Sequence, residues 1–233
     1  MNGIYIVGNA RSGTTMMGRI LNNHSLIHTF TEIHFFEQLW SGKESNKVLS
    51  VYDGMQLCAL LLNIAREGYF SKRHVNDFIS DAEKIIYNEQ LTSLEIYRRV
   101  LQSETVADGK NIFCKQTPQN VFYIREIKEA LPGSKFIFMV RDPRSVLLSQ
   151  KNKWRRRFLG GSHVNRYEMV RSWFNYHPIT ISQLWNSSFN SGMKFVKDEN
   201  LLQVRFEDLL SEPEKTIQSI CGFLNISFEA QML

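Results

Sequence analysis

"GIYIVGNARSGTTMMGRIL", residues 3–21, is the stretch on which the reading of this chain turns. Residues 3–7 are apolar at successive positions rather than alternate ones. That is the pattern of a strand covered on both faces, as in a parallel sheet. From Thr15 onward, Met16, Met17, Ile20 and Leu21 share one face of a helix. Between strand and helix, Gly8 and Gly13 bound a G-x-x-x-x-G loop. Glycines let the backbone turn tightly and close its N–H groups on an anion, and the helix that follows adds the positive end of its dipole. Ser12, Thr14 and Thr15 add hydroxyl donors. The strand–loop–helix order reads as a phosphate loop rather than a plain glycine turn. A nucleotide kinase places lysine where Thr14 stands, to reach the β- and γ-phosphates. The cation here is Arg11, inside the loop, which suits a single terminal anionic group with no triphosphate tail.

Working outward, short apolar runs alternate with helical patterns. Residues 26–30, "NIFCKQ" (111–116), "SKFIFMV" (134–140) and "NLLQVRF" (200–206) read as strands. Residues 48–104 carry apolar positions at three- and four-residue spacing, clearest in "VNDFISDAEKIIYNEQ" and "SLEIYRRVLQSE". "TPQNVFYIREIKEAL" is a further helix. "RDPRSVLLSQKNKWRRRF" opens one with Asp142 as N-cap and Pro143 in its first turn. Another is expected over about 164–190, interrupted near Pro178. Ser211 and Glu214 read as a capping box for the last helix. Strands alternating with helices imply an α/β fold, a parallel β-sheet flanked by helices, with ligands beyond the carboxyl ends of the strands.

A formal net charge of +5 and a pI near 9.1 favour anionic ligands. Cys58, Cys114 and Cys221 lie far apart with no CxxC spacing, which argues for reduced thiols rather than a disulfide framework. No charged and apolar leader precedes the first strand, and the longest apolar run, "MQLCALLLNIA", has the length of a buried helix. The expectation is a cytoplasmic protein with no integral membrane segment. No nucleic-acid motif is present. His24 and His28 stand at i, i+4 but across a turn and a strand, so no metal site is expected.

"RSGTT" after a buried strand resembles the 5′-phosphosulfate loop of the sulfotransferases that use 3′-phosphoadenosine 5′-phosphosulfate (PAPS) as donor. "FIFMVRDPRSVLLSQ" resembles that family's 3′-phosphate motif, an arginine ending a strand and a serine eight residues later, here Arg141 and Ser149. The resemblance spans nearly the whole chain and is carried best by residues 3–21, 112–150 and 201–225. It implies the P-loop nucleoside-triphosphate-hydrolase-like sulfotransferase fold and a single domain over 1–233. The helical insertion at about 40–110 would shape the acceptor pocket. It also implies PAPS held by Arg11, Ser12, Gly13, Thr14, Thr15, Arg141 and Ser149. Lys153, a turn further, would add charge to the 3′-phosphate, and Phe206 in "VRFEDLL" would stack on adenine. Many relatives continue for some tens of residues past the final helix and cover the nucleotide with that tail.

Sulfuryl transfer, like phosphoryl transfer, is an in-line displacement governed by positioning and charge stabilisation. By the same resemblance, Arg11 would stabilise the leaving phosphosulfate oxygens and Lys115, in "CKQTP", would touch the transferred group. Glu32, in "TFTEIHFF", would take the acceptor's proton, with His34 as the competing base. The acceptor is a hydroxyl, on a small molecule or glycan, and carbohydrate is the first expectation. "KNKWRRRF" (151–158) holds five cations in eight positions and could guide an anionic ligand, with Trp154 beside them for a sugar ring. Two alternatives remain at this point: a P-loop small-molecule kinase, against which Thr14 argues, and a catalytically inactive nucleotide-binding module.

Overall fold

The computed structural model describes residues 3–68, 72–152 and 177–233. Its centre is a sheet of parallel strands: β1 (Ile4–Gly8), β2 (Ile27–Phe30), β3 (Ile112–Gln116), β4 (Lys135–Val140) and β5 (Leu201–Arg205), in the order β2-β3-β1-β4-β5. The α/β parallel-sheet expectation therefore holds. The chain leaves β1 toward one edge and later returns past it to the other, so β1 is the switch point at which such sheets bind ligands. Register puts Ile6 beside Gln116 on one side, and Val7 and Gly8 beside Phe138 and Met139 on the other.

Both faces of the sheet are covered, which is why residues 4–7 of β1 and 136–140 of β4 are apolar at successive positions. Tyr5 and Val7, with Phe30, Phe113, Phe136 and Phe138, pack under the helical segment α2 (Val51–Glu67), α3 (Ile79–Ile86) and α4 (Ser93–Ala107). Tyr5 stacks on Phe136 with centroids 5.5 Å apart. Ile4, Ile6, Ile137 and Met139 face the other way, onto Met17 and Leu21 of α1 (Thr14–Asn22) and onto Ile217, Ile220 and Leu224 near the carboxyl end. Alternation of side chains along each strand sends neighbouring residues into two different cores. Cys58 and Cys114 are buried free thiols, and burial pushes both up to about 12, so neither is a ready nucleophile.

α5 (Ile124–Ala130) leads into β4, and α6 (Pro143–Lys151) follows it. Asp142 caps α6 as expected: its carboxylate accepts from the N–H groups of Arg144 (2.8 Å) and Ser145 (3.4 Å). Such a cap contributes about 1 kcal/mol. The Arg144 side chain also grips Asp142 and lowers its carboxyl to about 2. α7 (Pro178–Met193) begins at the proline that was expected to interrupt it. The remainder of that expected helix, and Lys153, Trp154 and the arginines beside them, lie outside the described residues.

One local expectation is corrected. Ser211 does not open a capping box with Glu214. Residues 206–211 form their own helix, α8 (Phe206–Ser211), directly after β5, so Ser211 ends one helix instead of starting the next. α9 (Pro213–Leu224) starts after Glu212 with proline in its first turn. Among the described residues no helix is long and apolar enough to cross a membrane.

Candidate active site

The loop after β1 turns on two glycines. Gly8 has φ 144°, and a Cβ there would lie 2.3 Å from the Met139 carbonyl oxygen of the neighbouring strand. Gly13 has φ 90°, and a Cβ there would lie 2.2 Å from the Phe206 ring. Both demand glycine by conformation and by space. Arg11 takes a left-handed conformation as well, φ 75°, a strained choice for a side chain of its size. Ser12 donates its N–H to Asn9 (3.2 Å), and α1 begins when Met17 bonds back to Gly13 (2.9 Å).

Arg11 and Arg141 are 130 positions apart in sequence but meet here. Arg141 Nη1 donates to the Arg11 carbonyl at 3.0 Å. Arg11 Nε donates to Ser149 Oγ at 3.0 Å. The Arg141 guanidinium stands 4.4 Å over the Phe206 ring, and that ring rests on Gly13. Arg11, Gly13, Thr14, Arg141, Phe206 and Glu32 all line one cleft of about 760 Å³. Thr15 lines it too and accepts from Gln116 Nε2 at 3.1 Å. Arg19, Gln119 and Gln150 also contribute to its wall, and none of them carried a signal in the sequence.

Two further groups hold the end of β4 that the sequence did not reveal. Trp185 of α7 donates its indole N–H to the Arg141 carbonyl (3.1 Å), and Glu207 accepts the N–H of Asp142 (3.0 Å). Trp185 is itself stacked on Phe189, with centroids 4.9 Å apart. The end of β4 is thus fixed from α7 and α8 at once, which limits the freedom of the arginine that leaves it.

Ser12 Oγ and Arg141 Nε are buried and have no hydrogen-bond partner among the described residues. Buried donors left this way are rare and unfavourable by about 1–3 kcal/mol each. An anion in the cleft would meet the Arg11 and Arg141 side chains, both of which line it.

Glu32 reaches the cleft from the loop after β2, with about 45% of its side chain exposed. Lys115 does not line the cleft. It lies on β3 between Phe30 of β2 and Tyr5 of β1, on the face covered by α2–α4, and is fully buried. Its Nζ donates to the Thr31 carbonyl at 2.9 Å and stands 5.3 Å from the Phe30 ring centroid. Lys115 therefore braces the residue before Glu32 rather than facing a ligand. Strand register explains this, since the position points into a core and not off the end of the sheet.

Burial brings the Lys115 ammonium down to about 7 from its ordinary 10.5, against the opposing pull of Cys114 and Glu32. The unfolded chain holds this proton up to pH 10.5, so between about pH 7 and 10.5 it binds more protons than the folded protein. Stability contributed at this position must then rise with pH across that window. Lys115→Met should remove the rise. In urea unfolding at pH 7 and pH 9.5, the gap between wild type and variant should change in favour of wild type at the higher pH. Parallel behaviour at both values would mean Lys115 is charged throughout.

His24 and His28, the i, i+4 pair, go to separate partners: His24 Nε2 to the Ser227 carbonyl at 2.9 Å and His28 Nδ1 to Asp108 at 2.7 Å. His34 lies beside Glu32, its Nε2 3.6 Å from Glu32 Oε2.

A family model described as "Sulfotransferase family" matches residues 3–230. Among known proteins, a Caenorhabditis briggsae protein whose name ascribes to it protein-tyrosine sulfotransferase activity is 25% identical over 122 residues, 52% of this chain and 39% of that protein. The chain thus spans about two fifths of that relative's length. Among solved structures, the sulfotransferase domain from the curacin biosynthetic pathway aligns with a TM-score of 0.62 at 24% identity, covering 100% of this chain and 77% of that one. The sulfotransferase domain of the Synechococcus PCC 7002 olefin synthase aligns with a TM-score of 0.62 at 19% identity, covering 99% and 75%. At these identities the two structures speak to the fold.

Proposed function

The chain belongs to the sulfotransferase family, and from that membership we propose that it transfers a sulfuryl group from PAPS to a hydroxyl acceptor. The observation that carries the reading is the meeting of Arg11 and Arg141 on one cleft, with Ser149 bonded to the Arg11 side chain. The loop of residues 8–14, with its N–H groups, Ser12 and Thr14, receives the sulfated 5′-phosphate. Arg11 stabilises charge on the oxygen that leaves. Arg141 and Ser149 bind the 3′-phosphate, to which Lys153 adds charge. Phe206 offers its ring to adenine. Glu32 removes the acceptor's proton as the new S–O bond forms. Lys115 acts at one remove, by holding the Thr31 carbonyl.

In this proposal residues 1–233 are one domain, with the helical segment at about 40–110 on the acceptor side. A second cavity of about 440 Å³ lies within that segment, lined in part by Trp40, Asp53 and Ser93. The name of the Caenorhabditis briggsae relative makes a tyrosyl peptide the first acceptor to test. Carbohydrate is the second.

Thermal shift with adenosine 3′,5′-bisphosphate against ATP separates the proposal from a kinase. A ligand at about 100 times its Kd stabilises by roughly 2.7 kcal/mol, and only the bisphosphate should do so. Equal or greater stabilisation by ATP would favour the kinase. Radiolabelled PAPS with tyrosyl-peptide, glycan and phenol acceptors then reads transfer directly. Bisphosphate binding with every acceptor unlabelled would make the chain an inactive binding module.

A further inference from the structure

Glu32 and His34 are rivals for one role in the sequence, but the fold sets them in a row with a third residue. His34 Nδ1 lies 2.6 Å from Glu37 Oε2, while His34 Nε2 faces Glu32 Oε2 at 3.6 Å. Exposure rises along the row: 14% for the Glu37 side chain, 16% for His34 and 45% for Glu32 at the cleft. Glu37 reaches back to His34 from the π-helical turn Phe35–Leu39. Such wide turns are uncommon and recur at functional sites. Buried Phe35, stacked on Tyr97 with centroids 4.1 Å apart, anchors that turn in the core. Glu37 Oε1 is buried with no hydrogen-bond partner among the described residues, and the carboxylate meets the imidazole through its Oε2.

We propose that Glu37 and His34 form a proton relay behind Glu32, an inference that rests on the sulfuryl-transfer reading. Glu37 accepts the proton of His34 Nδ1 and so points the Nε2 lone pair toward Glu32. In the transfer step the acceptor O–H bond breaks as its oxygen bonds to sulfur. The bond from sulfur to the 5′-phosphate oxygen breaks, and that electron pair leaves with the phosphate. The acceptor's proton moves to the Glu32 carboxylate and on to His34 Nε2, which leaves an imidazolium between two carboxylates until water takes the proton. At 3.6 Å the pair is just beyond hydrogen-bond reach. A proton on Glu32 supplies the missing donor, and its half-exposed side chain has room to rotate and close the gap. His34 is a positioning and relay residue, and Glu32 remains the group that touches the acceptor.

The test compares His34→Ala, the milder His34→Gln, Glu37→Gln and Glu32→Gln in full-length protein, with adenosine bisphosphate affinity as the check on folding. His34→Ala should lower kcat by about tenfold or more with the donor KM within about twofold, and added imidazole should restore much of the loss. Glu32→Gln should lose about 100-fold with no rescue by imidazole. In ¹⁵N spectra of the free protein, His34 should carry its proton on Nδ1 in wild type and shift toward Nε2 in Glu37→Gln. A His34 variant at full kcat, or one impaired but not rescued while bisphosphate affinity holds, overturns the relay alone. So does an Nε2–H tautomer in wild type. A wild-type protein that transfers to no acceptor overturns both the relay and the transfer reading. The spectra report the Glu37–His34 pairing independently of turnover.

Discussion

Arg11→Ala is expected to lower kcat for sulfuryl transfer by about 100- to 1000-fold, the range seen when one donor to a developing oxyanion is removed. The reasoning is local. Arg11 is the cation inside the phosphate loop, and its Nε donates to Ser149 Oγ at 3.0 Å. What anchors Arg141 is the Arg11 carbonyl, which alanine retains. The variant should therefore keep the cleft and lose the charge on the leaving oxygen. Bisphosphate affinity should fall much less than kcat. Arg11→Lys should recover only part of the rate, since an ammonium restores charge but not the planar fork. Single-turnover transfer from PAPS and calorimetric titration with the bisphosphate read the two quantities separately. A kcat within tenfold of wild type would remove Arg11 from the transfer step.

Arg141→Ala should have the opposite profile, with bisphosphate binding weakened by at least about 2 kcal/mol, roughly 30-fold, for loss of a charge-assisted pair. The guanidinium bonds the Arg11 carbonyl and covers the Phe206 ring at 4.4 Å, so its removal also leaves a carbonyl without its donor and an aromatic face bare. The melting temperature should fall as well, and Arg141→Lys should rescue neither effect fully. Calorimetry with adenosine 3′,5′-bisphosphate, set against adenosine 5′-monophosphate, isolates the 3′-phosphate. In the variant the preference for the bisphosphate should shrink by about that factor, and what is left belongs to Ser149 and Lys153. A variant whose preference is undiminished would mean that the 3′-phosphate binds away from Arg141.

Much of this frame was legible before any coordinates. Residues 4–7 are apolar at every position because β1 is the middle strand, with a core on each face. Asp142 and Pro143 announced the start of α6, because capping depends on residues adjacent in sequence. The same local reasoning failed at Ser211. Residues 206–211 gained a helix of their own from their position directly after β5, and a four-residue motif carries no information about that. Lys115 also misled. Its motif matched, but whether a lysine at a strand end faces ligand or core depends on register against β1 and β2.

Taken alone, the order of residues determined the strand–loop–helix at 3–21, the glycines that loop requires, the arginine that replaces a kinase lysine and the alternation that makes a parallel sheet. Those features follow from backbone conformation and side-chain periodicity, which act over a few residues. Only the tertiary structure decided that Arg141 would meet Arg11, because β1 and β4 are neighbours with Gly8 beside Met139. It alone decided that Trp185 and Glu207 would hold the backbone of Arg141 and Asp142 from two helices, that Lys115 would be buried, and that Glu37, His34 and Glu32 would stand in line. Contacts of this kind depend on strand order and helix packing, which bring together groups as far as 130 positions apart, and no short stretch of chain encodes such a distance.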